Sequence, residues 1–178
     1  MILCYQPYFC KLYIQIRIMI HRPATLNDID SVFELYMDKV ANPYLTYDEM
    51  EIEKFVDIYV GLLQTATLFV AELGDEIVST YRLIPKQNRQ AHTWYLGSFT
   101  VKNSMQGRGL GLQVLEHIKG IMIQHKKRRM ELTVDVNNDA AIHLYKKAGF
   151  VIEGQIKMSY RRSDTNEYYD EFLMGITI

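Results

Sequence analysis

Apolar positions recur along the chain with two different periods, and the switches between them mark the elements. Ile14, Ile16, Ile18 and Ile20 alternate with Tyr13, Gln15, Arg17 and Met19, a period of two that predicts a half-buried strand running into Arg22. Pro23 and the polar run Thr25, Asn27 and Asp28 make a helix entrance, and Ile29, Val32, Phe33 and Tyr36 share one face of a first helix ending near Lys39. Asn42 and Pro43 break the chain. Thr46 with Asp48 and Glu49 is placed to cap a second helix whose buried face is Ile52, Phe55, Val56, Tyr59, Val60 and Leu63. Residues 67–72 and 76–84 flank Gly74 and Asp75 as a β-hairpin. After a polar loop over 85–90, residues 92–101 read as an aromatic and β-branched strand, with Gly97 a bulge or a point of close backbone approach.

From Gly109 the period returns to that of a helix, with Val114, Leu115, Ile118 and Met122 on one face until 126–129. Leu132, Val134 and Val136 alternate as a strand, Asn138 opens a short helix through Lys147, and Gly149 stops it. Two last strands, 151–160 and 167–177, meet at a turn around 164–166. The order is strand, two helices, three strands, helix, strand, helix, two strands, a mixed α/β single domain without repeats or linkers.

Composition narrows the function. A chain of 178 residues buries a core without disulfide or metal staples, and 48% hydrophobic with 23% charged residues is ordinary for a soluble protein. A formal net charge of -1 supplies no field to gather nucleic acid or an anionic membrane, so any polyanion needs a local site. Cys4 and Cys10 lack His or Cys neighbours at ligand spacing and read as reduced cytosolic thiols, giving the expectation of a cytoplasmic protein with no metal. Pro7, Lys11, Gln15 and Arg17 interrupt the apolar stretch from Met1 to Ile20, and no small-residue cleavage site follows, which argues against a membrane span. Residues 1–18 are either an extension upstream of a natural start at Met19 or a lengthening of the first strand; the domain proper is 19–178.

The chemistry concentrates in two places. Gln106-Gly-Arg-Gly-Leu-Gly111 lies between a strand and an amphipathic helix, where backbone N–H groups at a helix start face an anion such as phosphate. Glycines allow close backbone approach, and Arg108 adds a charge. The alternative is a strand-to-helix turn with no ligand. The Gly-Lys-Ser/Thr ending of a nucleotide-binding P-loop is missing, and the position does not suit a dinucleotide fingerprint. The second place is Asn138-Asp-Ala-Ala-Ile-His-Leu-Tyr145, followed by Lys146-Lys-Ala-Gly-Phe150.

Together, in this order, the two segments resemble the GNAT superfamily of N-acetyltransferases, in which Gln/Arg-x-x-Gly-x-Gly/Ala binds pyrophosphate and Asn-x-x-Ala-x-x-x-Tyr-x-x-x-Gly-Phe closes the other side. Ile20-His-Arg-Pro-Ala24 with Asp28 resembles the family's first strand and helix, so the likeness covers about 19–178. It implies one α+β GNAT domain with a mixed, mostly antiparallel sheet of about seven strands, the fourth and fifth splayed apart, flanked by four helices. It implies acetyl-CoA as co-substrate, with the backbone of Phe99, Thr100 and Val101 pairing with the pantetheine arm. Gly107, Arg108, Gly109, Leu110, Gly111 and Leu112 would wrap the pyrophosphate, Asn138 would hydrogen-bond the pantetheine, and Gly97 would mark the bulge of the fourth strand. A primary amine is the implied acceptor, either a small molecule such as a polyamine, amino acid or aminoglycoside, or a protein amine. Homodimers are common in the family.

Tyr145 is the expected acid, protonating the thiolate expelled by direct attack; a buried core tyrosine is the plainer account. A thiol pKa of about 8.5 against about 10 for tyrosine makes that transfer plausible without strong drive. An amine must also lose a proton before it attacks. Family members often carry an acid on the fourth strand, whereas His92-Thr-Trp-Tyr-Leu-Gly97 holds none. Asp135 and His92 are candidate bases, and the base stays unassigned. Asp48, Glu49, Glu51, Glu53 and Asp57 either steer a cationic amine or solvate the start of helix two. Lys126 to Arg129 solvate a helix end, or meet the CoA 3′-phosphate. Tyr44, Tyr47 and Tyr59 line an acceptor pocket or pack in the core. The missing acid leaves a rival, a GNAT-like module that binds acyl-CoA without turnover, and a longer acyl donor is a third possibility.

Overall fold

In the computed structural model, residues 18–178 are described; Cys4, Cys10, Ile14, Ile16 and the extension before Ile18 lie outside the described residues. Eleven main elements follow: β1 (Met19–Pro23), α1 (Ile29–Tyr36), α2 (Ile52–Gln64), β2 (Leu68–Leu73), β3 (Glu76–Pro85), β4 (Thr93–Val101), α3 (Leu110–Gln124), β5 (Arg129–Asp135), α4 (Asp139–Lys147), β6 (Val151–Arg161) and β7 (Tyr168–Thr177). The strands form one sheet in the order β1-β2-β3-β4-β5-β7-β6. Neighbours pair antiparallel except β4 and β5, which are parallel. This is the mixed, mostly antiparallel seven-stranded sheet with four helices that the resemblance implies.

Strand alternation sends Val70 and Ala71 to opposite faces, and a separate core grows on each. On one face Leu68, Val70 and Ile77 meet Val32, Leu35 and Tyr36 of α1 and Phe55, Tyr59 and Leu62 of α2. On the other, Tyr81, Leu83, Trp94, Leu96, Leu132 and Val134 pack on Val114, Leu115 and Ile118 of α3 and Ile142 and Tyr145 of α4. Each fully buried Phe or Leu contributes about 1.5–3 kcal/mol through lost apolar exposure.

The entrance to α1 is built as its sequence suggests. Thr25 caps the turn before it, with its N–H and hydroxyl donating to Asp28 Oδ2 at 2.7 and 2.9 Å. Asp28 is 6% exposed and held by the Arg22 guanidinium through bonds of 2.7 and 2.8 Å. Arg22 also binds Glu72, tying β1 to β2.

Four expectations need correction. Ile18 and Ile20 are 75% and 54% exposed, and Met19 turns to the core instead; at an edge strand the alternation fixes which residues share a face but not which face is covered. Helix α1 stops at Tyr36, short of Lys39, because Asn42 Nδ2 donates to the Tyr36 carbonyl at 2.8 Å while Asp38 accepts from Val40 and Ala41 N–H. Helix α2 starts with Glu51 as its N-cap, so Thr46, Asp48 and Glu49 belong to the connecting segment. Its buried stripe is Phe55, Tyr59 and Leu62, leaving Val56 and Val60 39% and 36% exposed on the stripe's flank.

Candidate active site

Parallel pairing of β4 with β5 lasts for three residues, Thr93–Tyr95 against Arg129–Glu131. Beyond them the strands separate, and the opening is what makes a site. A bulge bends β4 there: Thr80 pairs with Thr100 and Arg82 with Gly97, so Tyr81 alone faces Ser98 and Phe99. The left-handed residue is Ser98, at φ 48°, which corrects the assignment of the bulge to Gly97. Gly97 pairs in register with Arg82, and an added Cβ there would stand 3.4 Å from the Tyr95 ring, an ordinary contact.

The Lys102 N–H donates to the Val78 carbonyl at 2.8 Å, so alternation along an antiparallel pair turns Thr100 toward β3 and Val101 toward the gap. Gln106 Nε2 donates to the Val101 carbonyl at 3.0 Å, and Ser79 Oγ to that of Thr100 at 2.7 Å. Of the three residues expected to meet a pantetheine arm, Val101 therefore offers its N–H to the gap. Thr100 contributes to the wall and keeps its backbone in the sheet. Phe99 lies in the bulge and lines the same space.

The glycine-rich loop follows directly. Gly107 and Gly109 sit at φ 73° and 78°, where an L side chain is strained, although a Cβ on either would touch nothing within 4 Å. Gly111 answers a different need: its Cβ would fall 2.9 Å from Leu144 Cδ2, where α3 and α4 meet. The first helical bond at the start of α3 is Gln113 N–H to Gly109 O, at 3.1 Å. Leu110, Gly111 and Leu112 consequently keep N–H groups without helical acceptors, no acid occupies the first turn, and all three line the cavity. Arg108 stays outside it, its guanidinium turned back to the Ser104 carbonyl at 3.2 Å.

Asn138 and Tyr145 sit across the gap. Asn138 caps α4, its Oδ1 accepting from Ala141 N–H at 3.1 Å, so its amide nitrogen is the group left for a ligand. Tyr145 is 7% exposed and packs edge-on against Phe150 and near Phe99. Its hydroxyl makes no hydrogen bond among the described residues, and Tyr145 lines the cavity. Burial pushes its pKa upward, which keeps the proton on the phenol at neutral pH.

The far side of the opening was largely invisible in the sequence. Asp135 ends β5 at 4% exposure, with Oδ2 accepting from the Tyr160 hydroxyl at 2.5 Å and Oδ1 from Asn137 N–H at 2.7 Å. Strand pairing sets Glu171 of β7 directly opposite, and Ser159 donates to it at 2.5 Å. Tyr95 and Thr133 share a 2.8 Å hydrogen bond on the same face. Tyr44, Tyr47, Asp48 and Arg82 close the cavity from the other flank. Tyr160, Glu171 and Arg82 had no local signal, because partners on separate strands meet only once the register is set. Tyr59 is core, its hydroxyl donating to Thr25 O at 2.7 Å. His92 is exposed at the closed end of β4 and does not line the cavity, and neither do Lys126 to Arg129, Glu51, Glu53 or Asp57. Arg129 is instead held by Glu131 and Glu153, and Lys127 donates to the Ala91 carbonyl at 2.6 Å, which leaves solvation of helix and strand ends to the others.

The cavity has a volume of about 1220 Å³ and runs unbroken from the α3 start, past Tyr145, to Asp135. Its two ends differ in chemistry: free N–H groups at one, carboxylates and phenols at the other. The profile of the Acetyltransferase (GNAT) family matches residues 29–150. No curated protein sequence matches the chain. Among solved structures, spermidine N-acetyltransferase from Vibrio cholerae, in complex with CoA and spermine, superposes with a TM-score of 0.76 at 19% identity, covering 89% of this chain and 95% of that one. Ribosomal-protein-alanine N-acetyltransferase from Brucella melitensis gives 0.73 at 21% identity, over 89% and 99%. A GNAT-family acetyltransferase from Streptococcus pneumoniae gives 0.70 at 24% identity, over 90% and 99%. At these identities the likeness is one of fold.

Proposed function

Because the chain belongs to the Acetyltransferase (GNAT) family, we propose that it transfers an acetyl group from acetyl-CoA directly to a primary amine. The observation that carries this reading is Tyr145, 7% exposed and without a hydrogen bond to its hydroxyl among the described residues, in a cavity that joins an anion-binding helix start to an acidic chamber. The glycine conformations and the three free N–H groups of α3 suit a pyrophosphate, and the Asn138 amide and Val101 N–H suit the amide groups of a pantetheine arm. Bound acetyl-CoA supplies a thioester carbonyl to be attacked and a thiolate to be expelled.

The protein's own part is then threefold. The β4 edge at Val101 presents an N–H that orients and polarises a carbonyl in the gap. Tyr145, held protonated by its burial, delivers its proton to sulfur. Phe99, which lines the cavity, excludes water from the transfer, and Phe150 holds the Tyr145 ring edge-on from behind. Two of the structural relatives are named for amine acceptors, spermidine and a ribosomal-protein alanine, which supports an amine here without selecting one.

Thiol release from acetyl-CoA across polyamines, amino acids, aminoglycosides and peptides tests the reading, with Tyr145→Phe beside the wild type. General-acid catalysis is worth about 10²–10⁴-fold, so kcat on a verified substrate should fall by at least about 100-fold in the variant. An unchanged kcat with chemistry rate-limiting removes Tyr145 from the acid role. CoA binding without release to any amine makes the chain a binding module.

A further inference from the structure

Direct transfer needs a place for the amine's proton, because an alkylammonium of pKa about 10.4 is neutral in only about one molecule per few thousand at pH 7. The stretch of β4 that lines the cavity carries no carboxylate to take it. Across the gap, Asp135 and Glu171 stand side by side in register, and neither forms a salt bridge among the described residues. The nearby Arg162 is engaged with Asp164. Two carboxylates without a counter-ion leave room for a cation. Tyr145, Asp135, Tyr160 and Glu171 line one cavity, which places the pair within the space already assigned to the transfer.

Asp135 is 4% exposed, and the Tyr160 hydroxyl occupies its Oδ2. The Tyr160 proton is committed to Asp135 at 2.5 Å, so its oxygen is the acceptor offered to a ligand. Burial and the Asp135 carboxylate hold this phenol protonated. The charged or titratable groups around it include Tyr169 of β7, whose ring stacks on it at 5.5 Å, Glu171 on β7, Arg162 just after β6, Tyr95 on β4, and Asp48 before α2, which accepts from Ser163 N–H at 3.3 Å.

We propose that Tyr160 and Asp135 form the relay that deprotonates the acceptor, with Glu171 holding the incoming ammonium, so that the acceptor is an aliphatic, cationic primary amine. An ammonium N–H proton passes to the Tyr160 oxygen as Tyr160's own proton passes to Asp135 Oδ2. The neutral nitrogen then forms its bond to the acetyl carbon while the carbon–sulfur bond breaks. The thiolate takes the Tyr145 proton, the second N–H proton restores Tyr145, and Asp135 returns one proton to solvent. This rests on the transferase reading.

The test is the pH dependence of kcat/KM between pH 6 and 9 for wild type, Asp135→Asn and Tyr160→Phe. It uses an alkylamine and its trifluoromethyl analogue, whose ammonium pKa lies at or below the bottom of that range, with CoA affinity and Tm measured alongside. With the alkylamine, wild type should be nearly flat, because the ammonium binds and is deprotonated in place. Each variant should lose about 100-fold at pH 7 and rise about tenfold per pH unit, following the free amine. With the trifluoromethyl analogue, the variants should stay within about threefold of wild type. Glu171→Gln should raise KM for the alkylamine alone. Equal losses on both amines, or variant profiles parallel to wild type, overturn the relay while leaving transfer intact. A wild type that binds CoA and acetylates no amine overturns the transferase reading beneath it.

Discussion

Replacing Gly109 with alanine isolates the conformational demand of the anion-binding loop. Its φ of 78° lies in the left-handed region, and an added Cβ meets nothing within 4 Å, so the whole effect is backbone strain. That strain is about 1–2 kcal/mol for an L residue. Alanine also restricts the unfolded chain, offsetting about 0.4–1 kcal/mol. If the loop keeps its shape, the net loss, about 0.8 kcal/mol from the middle of each range, appears as a Tm lower by about 2–3 °C, with CoA affinity unchanged. If the loop relaxes, stability is kept and the N–H groups of Leu110 to Leu112 leave their alignment. The strain then appears in binding, where 1.4 kcal/mol is a tenfold change in Kd. Thermal unfolding without ligand and calorimetric titration with CoA together capture both cases. Gly111→Ala is the contrast: its backbone is helical, its clash is with Leu144, and a double-mutant cycle with Leu144→Ala should show coupling in Tm. Gly109→Ala with unchanged Tm and unchanged CoA affinity would refute the argument.

Two further predictions concern pH. The Arg22 guanidinium, with the Thr25 bonds, lowers Asp28 from 3.8 to about 2. A carboxylate depressed on folding stabilises above its unfolded value, and that stability is lost as pH falls from about 4 to about 2. The contribution at neutral pH is about 2 kcal/mol, so Asp28→Asn should unfold at lower denaturant near pH 6 and approach wild type near pH 2; a constant gap between the two across this range would be inconsistent with the ion pair. His21 stacks on His117 at 3.6 Å between ring centroids and meets the Tyr81 hydroxyl at 3.1 Å. Burial, with His117 beside it, lowers His21 to about 4. The unfolded chain then binds a proton that the folded one refuses, so stability should decline as pH falls from about 6.5 to 4; His21→Phe should flatten that decline in Tm measured against pH, and an unaltered slope would discount the stacked pair.

How much the sequence alone determined follows from the range of each interaction. The order of the elements was legible because periodicity, the Thr25 to Asp28 entrance, the Gly74 turn and the Gly149 stop act within a few residues. The glycine loop and the Asn138 to Tyr145 segment were legible for the same reason: an anion site at a helix start and a capped helix are each built from one continuous stretch. The reading failed where burial depends on a remote neighbour. Val56 and Val60 have helical spacing but no described element above them, and Ile18 and Ile20 alternate on a face that no described residue covers. Only the tertiary structure decided that Gly111 answers to Leu144, that Ser98 rather than Gly97 carries the bulge, and that His92 stands apart from the cavity. It also decided the acidic chamber, because Asp135, Tyr160 and Glu171 come from three strands whose register is set by the packing of the whole sheet.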